Sequence, residues 1–446
     1  MTIRQAAASL RARELSCLEL TNRCLGQIGK LNPRLNAFIT VTEDGARKRA
    51  RELDEELAQG LDRGLLHGIP IAHKDLIHTR GVRTTSGSKL FEDFVPRQDA
   101  PVVEKLNQAG AVTLGKTGLH ELAYGVTSEN PHFGAIRNPR DLERSPGGSS
   151  GGSGAAVAAD MVFMATGTDT GGSIRIPASF CGTVGLKPTY GAIDRSGVQP
   201  LGLTLDHIGP LSRSVDDVRI TYQAMGPARP SKSAPHVRHV RIGLPENFYF
   251  SSVDPEVKRA ALEAARDAEQ LGATVIPVRV PDVDALNAAG RVILLVEASA
   301  LYEPYWARRE DFGADVLALI DQGRLVPATD YVNAQRLRRA LRKEFHELFT
   351  NIDCLFTPTS PIPAPRIGQK QVEIDGELQD TRIAATRFVR GMNVLGFPAL
   401  SLPCGATQAG LPIGLQVIAR PYEENVLFTV GEALEPVLAS RWGFAL

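Results

Sequence analysis

Between positions 147 and 175 the chain reads GGSSGGSGAAVAADMVFMATGTDTGGSIR. Two glycine-rich stretches, each carrying serine, enclose a run of small and apolar residues. Glycine allows backbone dihedrals closed to other residues and lets the main chain approach a ligand closely. Backbone polar groups enclosed by apolar sequence have to be paired with something. A chain built this way is expected to bury two Gly-Ser loops rather than expose them as linkers. Ser149 and Ser150 lie in the first and Ser173 in the second. Successive N–H groups beside a serine are what an oxyanion hole requires.

A third element lies upstream. Lys74 interrupts the apolar run GIPIAHKDLI, residues 68–77. Lysine is rarely buried without a use. Desolvation lowers its pKa, and a neutral lysine serves as a general base toward a serine hydroxyl. The plainer readings are a lysine whose stem is buried and whose amine reaches solvent, or a partner for the adjacent Asp75.

Composition narrows the class. The 446 residues include 50 basic and 50 acidic side chains, so the formal net charge is zero. Hydrophobic residues make up 43%, enough for a large core and too many for disorder. Without a charge excess, broad capture of nucleic acid or anionic membrane is not expected. The sequence shows no apolar stretch of membrane-spanning length, and the N-terminus has no secretory pattern. The five cysteines are scattered without a CxxC, so neither a disulfide framework nor a zinc ribbon is indicated. A reduced, cytoplasmic protein is expected.

Helical spacing is read over residues 5–30, 43–59, 100–109 and 331–350, and AVTLGKT reads as a strand. From 238 the order strand, helix, strand gives a βαβ signature. CLFTPTSP, GFPALSLPCG and LPIGLQVIA supply further strands. Soft points are expected at 226–236 and 360–380. Interleaved strands and helices argue for an α/β class.

Three short patterns mislead. Gly110–Thr117 fits GxxxxGK[ST], but a phosphate loop follows a strand and opens a helix, whereas here a helix precedes and AVTL reads as strand. Ser86–Lys89 and Lys116–Gly118 fit SxxK and KTG without the intervening SDN or the expected separation. Gly147–Gly151 fits the GxSxG elbow, but a charged loop precedes it where an apolar strand is needed. His207, His236, His239 and His346 are the bases such an elbow would draw on. A cysteine hydrolase built on Cys181 lacks a nearby histidine.

Taken together, GGSSGGSGAAVAA (147–159), GTDTGGSIRIPASFCGTVGLKPT (167–189) and GIPIAHKDLI resemble the signature of the amidase signature family. GKTGLHELAYGVTSEN (115–130), GAIRNPRD (134–141), LFTPTSP and FPALSLPCG extend the resemblance over about residues 15–430. It implies a single α/β domain, 1–446, with a mixed central sheet covered by helices. Its parts would be N-terminal helices (1–66), a catalytic core (67–215), a variable region (216–355) and C-terminal strands with a helix (356–446). It implies Ser173 as nucleophile, Ser149 as the bridging serine after a cis peptide bond, and Lys74 as base. Backbone N–H groups of Thr170, Gly171, Gly172 and Ser173 would bind the oxyanion. Ser150 and Asp169 would order the loops, and Arg175 would form a structural ion pair. No metal or organic cofactor enters.

The expected partner is a small amide, with a homodimer left open. The family also contains the glutaminase-type component of a tRNA-dependent amidotransferase. That component usually has KDNI where this chain has KDLI. It carries an aspartate for the glutamine amino group near the position of Thr386 here. These departures favour a stand-alone amidase, and a hydrolase of urea-like amides (carboxybiuret or allophanate type) stays open. Substrate choice is expected in residues 290–345 and 358–366. Tyr302, Tyr305, Trp306, Phe312 and Tyr331 are candidates for an acyl pocket, and Arg336 or Arg387 for a carboxylate contact.

Overall fold

A computed structural model describes residues 1–227 and 236–442. The soft point expected at 226–236 falls almost wholly outside the described residues. In chain order the strands are β1 (Phe38–Val41), β2 (Pro70–Lys74), β3 (Val112–Thr117), β4 (Glu129–Asn130), β5 (Gly134–Ala135), β6 (Met164–Asp169), β7 (Val184–Lys187) and β8 (His207–Ser212). They continue with β9 (Arg241–Pro245), β10 (Thr274–Val278), β11 (Cys354–Pro358), β12 (Gln371–Ile374), β13 (Glu377–Asp380), β14 (Ala399–Ala406) and β15 (Pro412–Ala419).

Eleven strands form one sheet in the order β1-β3-β2-β6-β8-β7-β14-β15-β11-β9-β10. The sheet is mixed: β3, β2 and β6 run parallel, as do β11, β9 and β10, while the strands between them pair antiparallel. The βαβ reading is met by β9, the helix Pro255–Gln270 and β10. Strands with every residue buried, such as β2, β6 and β15, are what a sheet flanked by helices requires.

The glycine cluster is not all loop. Gly151–Ala158 is a helix, buried along nearly its whole length. A Cβ on Gly152 would stand 2.4–2.5 Å from the backbone of Gly118 and Ala37. Close packing, rather than flexibility, accounts for glycine there. Helix Arg175–Cys181 follows the second loop and ends at Gly182 in the left-handed region.

Two expectations change. The 5–30 helix is two helices, Ile3–Arg11 and Cys17–Leu35, because Ser16 and Glu19 form a capping box that starts the second. The soft point at 360–380 holds the hairpin β12–β13, turned by Asp375-Gly376, both at positive φ. Helix Val283–Tyr302, with the 3-10 turn after it, is long and apolar enough to cross a membrane by length and composition. Here it packs against helices Ala314–Arg324, Ala328–Leu348 and Arg390–Leu395, as a core helix does.

Candidate active site

Strands β2 and β6 lie side by side and parallel, with His73 opposite Thr166. Their C-terminal ends carry Lys74, Thr168 and Asp169 to one edge of the sheet. Ligand sites in open parallel sheets form at such ends. The chain leaving β6 becomes the second Gly-Ser loop, and the first loop is laid across it by the helix Gly151–Ala158. Ser150 N–H donates to Ser173 O at 3.2 Å, which ties the two loops together.

Lys74 is fully buried. Its Nζ is hydrogen-bonded to Ser149 Oγ at 2.7 Å, Thr168 Oγ1 at 2.8 Å and Ser150 Oγ at 2.9 Å. Burial pulls its pKa down to about 7, against the opposing pull of Asp169 and Asp206. Ser150 Oγ in turn donates to Thr168 O at 3.1 Å, so its proton already has an acceptor. Ser149 follows a cis peptide bond from Gly148. Its carbonyl accepts from His120 N–H at 3.1 Å. Among the described residues no hydrogen bond joins Ser149 Oγ to Ser173 Oγ; in unliganded sites such contacts are often loose.

Asp169 organises the second loop. Its Oδ1 accepts from Gly172 N–H at 2.8 Å and its Oδ2 from Ile174 N–H at 3.1 Å. Arg175 clamps both oxygens, Nη2 to Oδ1 at 2.9 Å and Nε to Oδ2 at 3.0 Å. Burial alone would raise this carboxyl, but Arg175 overcomes it and holds the group below the usual carboxylate range. The remaining Arg175 donors go to Val389 O, Gln416 Oε1 and Asn393 Oδ1. Of the four N–H groups at 170–173 expected to face an oxyanion, one already has a partner. Gly172 N–H is spent on Asp169, while the N–H groups of Thr170, Gly171 and Ser173 find no acceptor among the described residues. Gly172 serves the loop by its φ of +120°, where a Cβ would stand 2.3 Å from Val389 Cγ2.

A family model described as Amidase matches residues 19–428. The chain belongs to the amidase family. It is 41% identical to an amidase of Pseudomonas putida, over 99% of this chain and 96% of that protein. It is 36% identical to the A-type component of the glutamyl-tRNA(Gln) amidotransferase of Carboxydothermus hydrogenoformans, over 98% and 96% of the two chains. A solved structure from a vestigial protein complex that reveals the evolutionary origins of an s-triazine catabolic enzyme superposes with a TM-score of 0.92. It is 35% identical, over 98% of each chain. The protein is thus a hydrolase of carbon–nitrogen amide bonds.

In this amidase Ser173 opens on a small cavity of about 70 Å³, with Thr170, Gly171, Tyr124, Leu201 and Leu294 in its wall. Arg382, Thr386 and Arg390 complete the wall. Through Thr170, Ala123 and Leu201 it adjoins a cavity of about 710 Å³ that includes Asp206 and His207. None of the five aromatic candidates lines the small cavity. Tyr302 is buried and donates to Pro200 O at 3.0 Å, and Trp306 lies between Arg309 and Arg324. Tyr331 donates to Glu297 at 3.1 Å, Tyr305 meets Phe91 edge to face, and Phe312 packs on Tyr302. The arginine candidates fail too. Arg336 is exposed beside Asn333, and Arg387 donates to Ser251 O and Ser252 O while covering Phe248. Tyr124 stands in the LAYG run of the signature, but nothing in the sequence singles out Arg382 and Arg390 from the other basic residues.

The misleading motifs dissolve. Lys116 lies inside β3, fully buried, with Nζ donating to Ile77 O and Thr84 Oγ1 at 2.5 and 2.7 Å. Burial pulls it down to about 8. His207 hydrogen-bonds backbone oxygens of Asp169 and Leu205 rather than Ser149. Cys181 is buried and its thiol is pushed up to about 12, which makes it a poor nucleophile. Among the described residues no cluster of His, Cys, Asp or Glu is placed to hold a metal.

Proposed function

We propose that this enzyme hydrolyses a small carboxamide through an acyl-enzyme on Ser173, with Ser149 relaying a proton to and from Lys74. One observation carries the reading: the buried Lys74 amine sits 2.7 Å from Ser149 Oγ. A neutral amine has a single lone pair. The Ser150 proton is directed at Thr168 O, so Ser149 is free to give its own proton to Lys74.

Ser173 Oγ attacks the carbonyl carbon and its proton moves to Ser149 Oγ as the Ser149 proton moves to Lys74 Nζ. The oxyanion lies on the N–H groups of Thr170, Gly171 and Ser173, with Asp169 and Ser150 holding the loops. The C–N bond breaks as the relay returns the proton to the departing nitrogen. Water then attacks the ester, loses its proton by the same path, and the acid leaves Ser173. No external oxidant, metal or cofactor is needed to balance these steps.

A glutaminase that works in an amidotransferase is the rival reading, given the amidotransferase relatives. The wall of the Ser173 cavity counts against it. It has two guanidinium groups, and Thr386 in place of the aspartate expected to hold a substrate ammonium, with no carboxylate among its residues. We further infer action in the cytoplasm without a partner protein, in keeping with five free, buried cysteines. The test is Ser173→Ala, assayed for ammonia release from aliphatic, aryl and urea-type amides. A folded variant with no turnover supports the assignment, and substantial residual turnover removes it.

A further inference from the structure

Two arginines in the wall of the Ser173 cavity lack ion-pair partners among the described residues. Among the described residues Arg390 makes one side-chain hydrogen bond, Nη2 to Thr386 Oγ1 at 2.8 Å, and its Nε is shut off from solvent with nothing to donate to. A Cβ built on Gly171 would lie 3.9 Å from that Nε, so the guanidinium borders the loop proposed to hold the oxyanion. Arg382 lines the same cavity, and Arg291 is close enough to act on Arg390 electrostatically. Among the described residues none of the three forms a salt bridge with a carboxylate. Arg175, one short helix away, has partners for all its donor nitrogens. Burial, reinforced by Arg291 and Arg382, pulls the Arg390 guanidinium down to about 10.

A desolvated guanidinium beside like charges, as Arg390 is beside the half-buried Arg382 and the exposed Arg291, is costly to a fold unless an anion completes it. A guanidinium is built to receive a carboxylate through a planar pair of hydrogen bonds. The cavity is small and apolar on its other walls, with Leu201, Leu294 and Val126.

We propose that Arg390, supported by Arg382, binds a carboxylate on the acyl part of the substrate, so that the preferred substrates are monoamides of short dicarboxylic acids. The proposal deepens the Ser173 reading and rests on it. The leaving nitrogen then departs toward the larger cavity, and the product is a dianion that the same arginines hold.

The test uses the full chain with succinamate and its uncharged isostere isocaproamide. A preference for succinamate on the order of 100-fold in kcat/KM is expected, the size of one or two charge-assisted hydrogen bonds. Arg390→Gln should collapse that ratio mainly through KM, and Arg390→Lys should restore only part of it. Arg382→Gln, at a half-buried side chain without a hydrogen bond among the described residues, covers the case in which the Arg390 variants do not fold. Calorimetry with succinate on Ser173→Ala supplies a readout independent of turnover: binding should be seen, and should vanish when Arg390→Gln or Arg382→Gln is added. Equal use of the two amides, a ratio that survives Arg390→Gln and Arg382→Gln, or no succinate binding overturns the proposal. Turnover by Ser173→Ala would instead overturn the nucleophile assignment and leave the succinate experiment to decide the arginine site.

Discussion

Burying a lysine amine penalises its charged form, and Lys74 answers that penalty by titrating at about 7 rather than 10.5. The difference corresponds to roughly 5 kcal/mol against the protonated state. It leaves the amine about half neutral at pH 7 and increasingly so above it, as a general base requires. The sign follows directly. Below about 7 Lys74 is protonated and cannot take the Ser149 proton, so kcat/KM should fall as pH drops through that value and level off above it. Lys74→Ala should cost at least ~1,000-fold, as loss of a general base does, and abolish the rise. A pH profile that keeps its shape in the variant would take Lys74 out of the relay. Gly172 gives a second residue-level test. Its φ of +120° and the space already filled by Val389 predict that Gly172→Ala lowers stability by about 1–3 kcal/mol, read by denaturant melts, with turnover lost as the loop shifts.

At the scale of elements, the site exists because parallel β2 and β6 end together and one tight helix lays Ser149 and Ser150 over them. Gly152 is the contact that lets this helix approach, so Gly152→Ala should weaken activity and stability together, by about 1–3 kcal/mol in the melt. A variant as stable and active as the parent would show that the close approach is dispensable. What the sequence made legible follows the same division. Lys74, Ser149 and Ser173 stand in long motifs, and their meeting is readable because those motifs occur together. The start of the second helix at Ser16 and the Asp375-Gly376 hairpin had local signals, a capping box and a DG turn, that apolar periodicity obscures. Arg382 and Arg390 had none. A sequence shows how many cations a chain has, but only the packed structure shows which of them, among the described residues, form no direct ion pair. Likewise, Asp169 folds back onto Gly172 N–H, a contact that spacing cannot reveal.

At the scale of the molecule, a length that suggests about three domains is spent on one eleven-stranded sheet. Its equal numbers of acidic and basic residues conceal a local imbalance at the cavity, where guanidiniums outnumber carboxylates. The purified chain is therefore expected to act alone on small amides and to use glutamine less well than a monoamide without an amino group, because no carboxylate lines the Ser173 cavity to pair with the glutamine ammonium. Ammonia release measured with glutamine beside neutral and anionic amides checks this. Glutamine as the best substrate would restore the amidotransferase reading.

The central claim is that Ser173 carries the acyl group. It is tested most directly by quenching the enzyme during turnover of a slowly deacylated amide or ester and mapping the adduct by peptide mass spectrometry. A mass increase equal to the acyl group is expected on the peptide containing Ser173, absent from Ser173→Ala. An adduct on Ser149 or Cys181, or turnover without any adduct on Ser173, would contradict it.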